Sequence, residues 1–162
     1  MNSAESFSGS YDEARAKFLA VAKDGGATLE RLVHPEKGPE AQELSTDIAW
    51  FGPRDADRVL VLISGTHGVE GYCGSGAQVD WLKRGEHTRL PKGVAALLIH
   101  AINPYGFAWN RRVTNENVDL NRNWIDFAKP LPENRAYTEL SEAICPRAWD
   151  ADVQQQSIAT LM

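Results

Sequence analysis

Apolar and polar positions along this chain change period several times, and each change marks an element. From Ser10 to Lys23 the residues Ala14, Phe18, Val21 and Ala22 recur at helical spacing, and Gly25 and Gly26 supply a stop. That pattern predicts a first helix. Thr28 to Val33 and Ser45 to Phe51 alternate instead, which predicts two half-exposed strands, the first ended by Pro35 and the second by Gly52 and Pro53. In Arg58 to Ile63 the residues Val59, Leu60, Val61, Leu62 and Ile63 run without alternation, as in a strand covered on both faces. This segment is expected at the centre of a sheet.

Gly93 to Ile102 reads as a second buried strand, closed by Asn103 and Pro104. Between the two runs, Ala77 to Arg84 is helical in pattern and Gly85 follows as its C-terminal signal. Strand, helix and strand predict a βαβ unit with a right-handed connection. Asn103 to Trp124 holds six of the eight asparagines and reads mostly as loop. Glu133 to Ile144 is a candidate final helix, and Cys145 to Met162 carries no clear pattern. The expectation is one α/β domain over residues 1–162: a central, mostly parallel or mixed sheet with flanking helices.

Composition narrows the function classes. The 162 residues suit one domain, and 43% apolar and 24% charged residues are ordinary globular usage. A net charge of -5 with dispersed basic residues argues against nucleic acid or an anionic membrane as partner. The apolar runs Val59 to Ile63 and Val94 to Ile99 are far below the roughly 20 residues a bilayer span needs. Met1 to Ser10 lacks the basic start and apolar stretch of a secretory signal, which predicts a cytoplasmic chain. Cys73 and Cys145 are too few for a disulfide framework and are expected as small core residues.

Ligands of open α/β sheets bind beyond the carboxyl ends of the strands, and both apolar runs end in unusual segments. The first, Ser64 to Gly76, has five glycines in the twelve positions from Gly65. That density weakens the folded state unless something requires it, whether a ligand close to the backbone or tight helix packing. His67 and Glu70 stand three apart, so a helical turn there aims both side chains one way, as two of the three protein ligands of a His2Glu zinc site. A phosphate cradle is the weaker reading, since neither nucleotide-binding glycine motif is present and no lysine lies between Gly65 and Trp81. Nucleophilic catalysis by Ser75 or Cys73 is weaker still, because Cys73 stands where a nucleophile elbow needs glycine.

The second segment runs Asn103-Pro104-Tyr105-Gly106-Phe107, then Arg111-Arg112 to Val118-Asp119-Leu120-Asn121-Arg122-Asn123-Trp124. In an acidic chain it sets Arg112 and Arg122 past a strand end, where a guanidinium fork suits a carboxylate or a developing oxyanion. The alternative is that Asp119 pairs with one arginine while the asparagines cap turns.

Taken together and in this order, the two segments resemble the zinc carboxypeptidase superfamily of the M14 type. They most resemble its DUF2817 branch, related to succinylglutamate desuccinylase and aspartoacylase. The resemblance covers roughly Val59 to Trp124. It implies Zn2+ held by His67 and Glu70, Arg112 polarising the scissile carbonyl, and Asn121 and Arg122 gripping a terminal carboxylate. Asp119 and Asn123 are expected to support the loop rather than the chemistry. The implied activity is zinc-dependent cleavage of an amide bond near a free carboxylate, in a small peptide or N-acyl amino acid.

The family's third ligand, a later histidine, and its catalytic glutamate find no match. The histidines are His34, His67, His87 and His100, none of them after Asp119. His100 reads as a core residue, while His34 and His87 border turns and are expected in solvent. Glu133, Glu139 and Glu142 lie on the candidate final helix without a family motif. The expectation is therefore a truncated or split product, inactive alone. It would be completed by a C-terminal half, or would self-associate through an exposed sheet edge. The rival function is a catalytically dead carboxylate-binding module.

Overall fold

A computed structural model describes residues 2–162, which fall into two compact units, one ending at Trp124 and the other spanning Ile125–Met162. In the first unit, helix α1 covers Tyr11–Asp24; Ser10 caps it by accepting from the Glu13 N–H, and Gly25 ends it. Strands β1 (Thr28–Lys37), β2 (Glu43–Phe51) and β3 (Arg58–Ile63) follow, then helix α2 (Gly68–Lys83), strand β4 (Val94–His100) and the short helix α3 (Pro104–Ala108).

The sheet order is β1-β2-β4-β3. β2 pairs antiparallel with both β1 and β4, while β3 runs parallel to β4, so the sheet is mixed and the expected fold class stands. α1 and α2 cover one face: Phe18 and Ala22, with Val79 and Leu82, pack on Ala49, Phe51, Ala96 and Leu98. A second cluster of Tyr11, Ala14, Leu44, Ala101, Phe107 and Ala108 seals the end of the sheet from which the β4 loop leaves.

Five sequence expectations are corrected. β3 is an edge strand, with Val61 47% and Ile63 50% exposed. Its uniform run still has the composition of a strand covered on both faces, but among the described residues β4 alone pairs with it. β1 continues through Pro35 to Lys37, because Pro35 sits on the other edge strand where the register shifts, and an edge or bulge tolerates a missing N–H. The glycine-rich stretch is helix from Gly68 onward. Its glycines let α2 approach its neighbours: a Cβ on Gly71 would press on Phe107, on Gly74 on Ser64, and on Gly76 on Phe7. Close packing thus accounts for much of the glycine density. Finally, both cysteines are exposed rather than in the core, and His87, half-buried, rests on the Phe51 ring at 4.7 Å instead of lying in solvent.

The second unit is a helical hairpin. Helix α4 spans Arg135–Ile144 and is capped by Asn134, close to the expected limits. The unpatterned tail contains a further helix, α5 (Ala151–Leu161), capped by Asp150. Among the described residues no helix is long and apolar enough to cross a membrane.

Candidate metal centre

Because β3 and β4 are parallel and adjacent, their carboxyl ends open on the same edge of the sheet. The two unusual segments therefore meet. Ser64 donates its N–H to the Ile99 carbonyl, and Ile102 and Asn103 donate theirs to Ser64 and Gly65, each at 3.0 Å. Gln78, buried on α2, braces the same region: Nε2 donates to the Leu62 carbonyl at 2.9 Å and to that of Ile99 at 3.2 Å, and Oε1 accepts from Ser64 Oγ at 2.9 Å.

His67 occupies the N-cap of α2 in extended conformation, and Glu70 lies in the first turn. The helical turn brings His67 Nδ1 to 3.4 Å from Glu70 Oε1, as the three-residue spacing predicts. The His67 side chain is 9% exposed, whereas the Glu70 side chain is 66% exposed. The carboxyl group of Glu70 is held below its ordinary range, chiefly by its own backbone N–H, with His67 and Arg112 adding to the effect.

Asp119 links the two segments. Its Oδ1 lies 2.9 Å from His67 Nε2, and its Oδ2 accepts from Arg112 Nε at 2.9 Å. Oδ1 also accepts from the Asn121 N–H at 2.9 Å, capping the short 3-10 turn Leu120–Arg122. These bonds hold its pKa down to about 2, with His67 the largest cause, then Arg112 and the Asn121 N–H. Asp119 supports its loop as expected, by capping this turn, and beyond that it grips the imidazole and the guanidinium at once. Its spacing from Arg112 was visible in the sequence, but its partner at position 67 was not.

A carboxylate on Nε2 selects the tautomer that carries its proton there and leaves the Nδ1 lone pair facing Glu70, an outer-sphere arrangement common to metal-binding histidines. A lone pair and a carboxylate oxygen 3.4 Å apart repel unless a cation or a proton lies between them. His67 Nδ1 and Glu70 therefore fit a metal as two ligands. Among the described residues no group of three or more His, Cys, Asp or Glu is arranged to hold one.

Arg112 is joined to this centre through Asp119, while Arg122, exposed, bonds through Nη1 to the Asn121 carbonyl at 3.3 Å. Asn121 is exposed as well. Ser75 and Cys73 form no second centre with His67: Ser75 is buried against His100, and Cys73 lies on the open side of α2. Two cavities of about 560 Å³ lie in the hairpin unit, one beside Glu142 and Arg147 and one beside Glu133 and Arg135, and neither is lined by His67 or Asp119.

The model of the protein family described as "Protein of unknown function (DUF2817)" matches residues 7–162. No curated protein matches the chain. Among solved structures it is similar to a Zn-dependent exopeptidase from Parabacteroides distasonis, at 13% identity over 85% of this chain and 48% of that one, with TM-score 0.42. A glutaminyl cyclase from Tannerella forsythia is 12% identical over 59% of this chain and 40% of that one, with TM-score 0.43. A leucine aminopeptidase precursor from Bacteroides thetaiotaomicron is 12% identical over 56% and 38%, with TM-score 0.39. The chain thus spans less than half the length of each. Likeness at this level carries no argument about activity.

Proposed function

The chain belongs to the DUF2817 family, and from that premise we propose that it supplies the metal-binding and oxyanion-binding part of a zinc-dependent hydrolase that cleaves an amide bond near a free carboxylate. The observation that carries this reading is the pair of carboxylates on opposite nitrogens of His67, with Asp119 fixing the ring and Glu70 facing the remaining lone pair. His67 Nδ1 and Glu70 would hold the metal, and a third ligand would come from outside the described residues. When bound, zinc supplies an acidified water and polarises the attacked carbonyl.

The roles of the other residues follow from where they lie. Arg112 commits Nε to Asp119, which leaves its terminal amino groups able to bind the oxygen on which negative charge develops. Asn121 and Arg122 follow directly on the Asp119 turn and carry donors suited to a substrate carboxylate. The substrate would be a small peptide or an N-acyl amino acid.

Zinc titration by calorimetry on the chain and on His67→Ala tests the assignment, with measurable affinity expected only in the former. Equal heats in the two would remove the metal, and an imidazolium bonded to both carboxylates would then explain the geometry. A second reading, a carboxylate-binding module without turnover, is favoured by the lack of a three-ligand cluster among the described residues. Hydrolysis assays over a panel of peptides and N-acyl amino acids, with and without zinc, separate the two.

A further inference from the structure

We infer that Asn103 is a positioning residue, whose side chain closes a ring of hydrogen bonds that fixes the His67 backbone against the loop carrying Arg111 and Arg112. Asn103 is 3% exposed. Its Nδ2 donates to the Thr66 carbonyl at 3.2 Å, and its Oδ1 accepts from the Gly106 N–H at 2.9 Å. The circuit continues through backbone alone. The Arg111 N–H donates to the Gly106 carbonyl at 2.8 Å, and the Gly68 N–H donates to the Arg111 carbonyl at 2.8 Å. Thr66 and Gly68 flank His67, so the ring closes on that residue.

Two corners of the ring have no room for a side chain. A Cβ on Gly68 would fall on the Gly106 carbonyl oxygen and the Arg111 backbone, and one on Gly106 would fall on the Asn103 amide. The separation between His67 and Arg112, the residue after Arg111, is therefore set through the main chain. Asp119 can bridge His67 Nε2 and Arg112 Nε only while that separation holds. An N-cap for α3 would need only the Oδ1 acceptor, which Ser or Asp provides as well. The Nδ2 donor reaching Thr66 has no part in capping, and it is the arm that ties one loop to the other.

The consequence for a bound cation rests on the metal reading; the ring does not. The test uses Asn103→Ser and Asn103→Asp, which keep a cap acceptor and lose the donor. Long-range 1H–15N spectra of the metal-free chain, with the His67 signals identified by their loss in His67→Ala, report the tautomer directly. The intact chain is expected to hold His67 in the form with the proton on Nε2. Both variants are expected to move its ring nitrogens toward the values of a tautomer mixture, with the melting temperature of Asn103→Ser changed by only a few degrees. Zinc affinity should fall about tenfold or more, the usual effect of losing an orienting partner. Unchanged His67 signals in a folded variant would overturn the inference. So would loss of the fold in both variants, which would make Asn103 a stability residue. Altered signals in the variants, beside an intact chain that never binds zinc, would sink the metal reading and leave this one standing.

Discussion

Acidification should destabilise this protein through one buried histidine. His100 is fully buried, its ring stacked on Phe18 at 4.7 Å and its Nε2 2.9 Å from Ser75 Oγ, while among the described residues Nδ1 has no hydrogen-bond partner. Burial pushes its pKa down to about 4 from the ordinary 6.5; Asp47, opposite it on β2, works against the shift, and Arg15 on α1 adds to it. The unfolded chain therefore binds a proton near pH 6.5 that the folded chain refuses until about pH 4. Its contribution to stability is fully present above about pH 6.5, declines as the pH falls through that window, and stops declining below about pH 4. At about 1.4 kcal/mol per pH unit, the gap amounts to about 3 kcal/mol. Urea unfolding from pH 7 to pH 4 on the wild type and on His100→Leu measures it, since the carboxylates common to both cancel in the difference. The leucine variant starts lower at pH 7, because Ser75 loses its partner at a cost of about 1–3 kcal/mol. The two curves should then converge by about 3 kcal/mol on acidification. Parallel curves, or a His100 ring proton that titrates near pH 6.5 by NMR, would refute the argument.

Three further outcomes are expected. Asp119→Asn should release the His67 tautomer and weaken zinc binding about 10- to 100-fold by calorimetry; in the wild type the stabilising effect of Asp119 should persist above its ordinary range and vanish only as the pH falls toward about 2. Arg15→Ala should cost about 3 kcal/mol in urea unfolding, because Asp47, 1% exposed, loses the guanidinium 2.6 Å away and is left as a buried charge. Val61→Lys should lower light scattering on heating without changing the unfolding midpoint, because it puts a charge on the exposed face of edge strand β3.

Much of the local structure was legible because it depends on neighbours in sequence. Ser10 and Gly25 bracket α1, and Asn134 opens α4 close to the expected start, because a cap acts within a few residues; α3 and α5, also opened by side-chain caps, lay in segments expected as loop or without pattern. His67 and Glu70 converge for the same reason, the turn between them being helical. The start of α2 was hidden, since glycines at 68, 71, 74 and 76 read as loop by propensity, whereas the Gly106 and Arg111 backbone, Phe107, Ser64 and Phe7 stand where side chains at those positions would be.

The amino-acid order by itself marked the two segments that follow β3 and β4, and the strands they leave. Tertiary structure alone decided that β3 lies at an edge, that Asp119 reaches His67 from 52 positions away, and that His100 loses its ordinary basicity. Short-range preferences come from the chain's own dihedrals and side-chain reach. Strand order, desolvation and the meeting of distant charges come from which surfaces are buried together, and no local pattern records that.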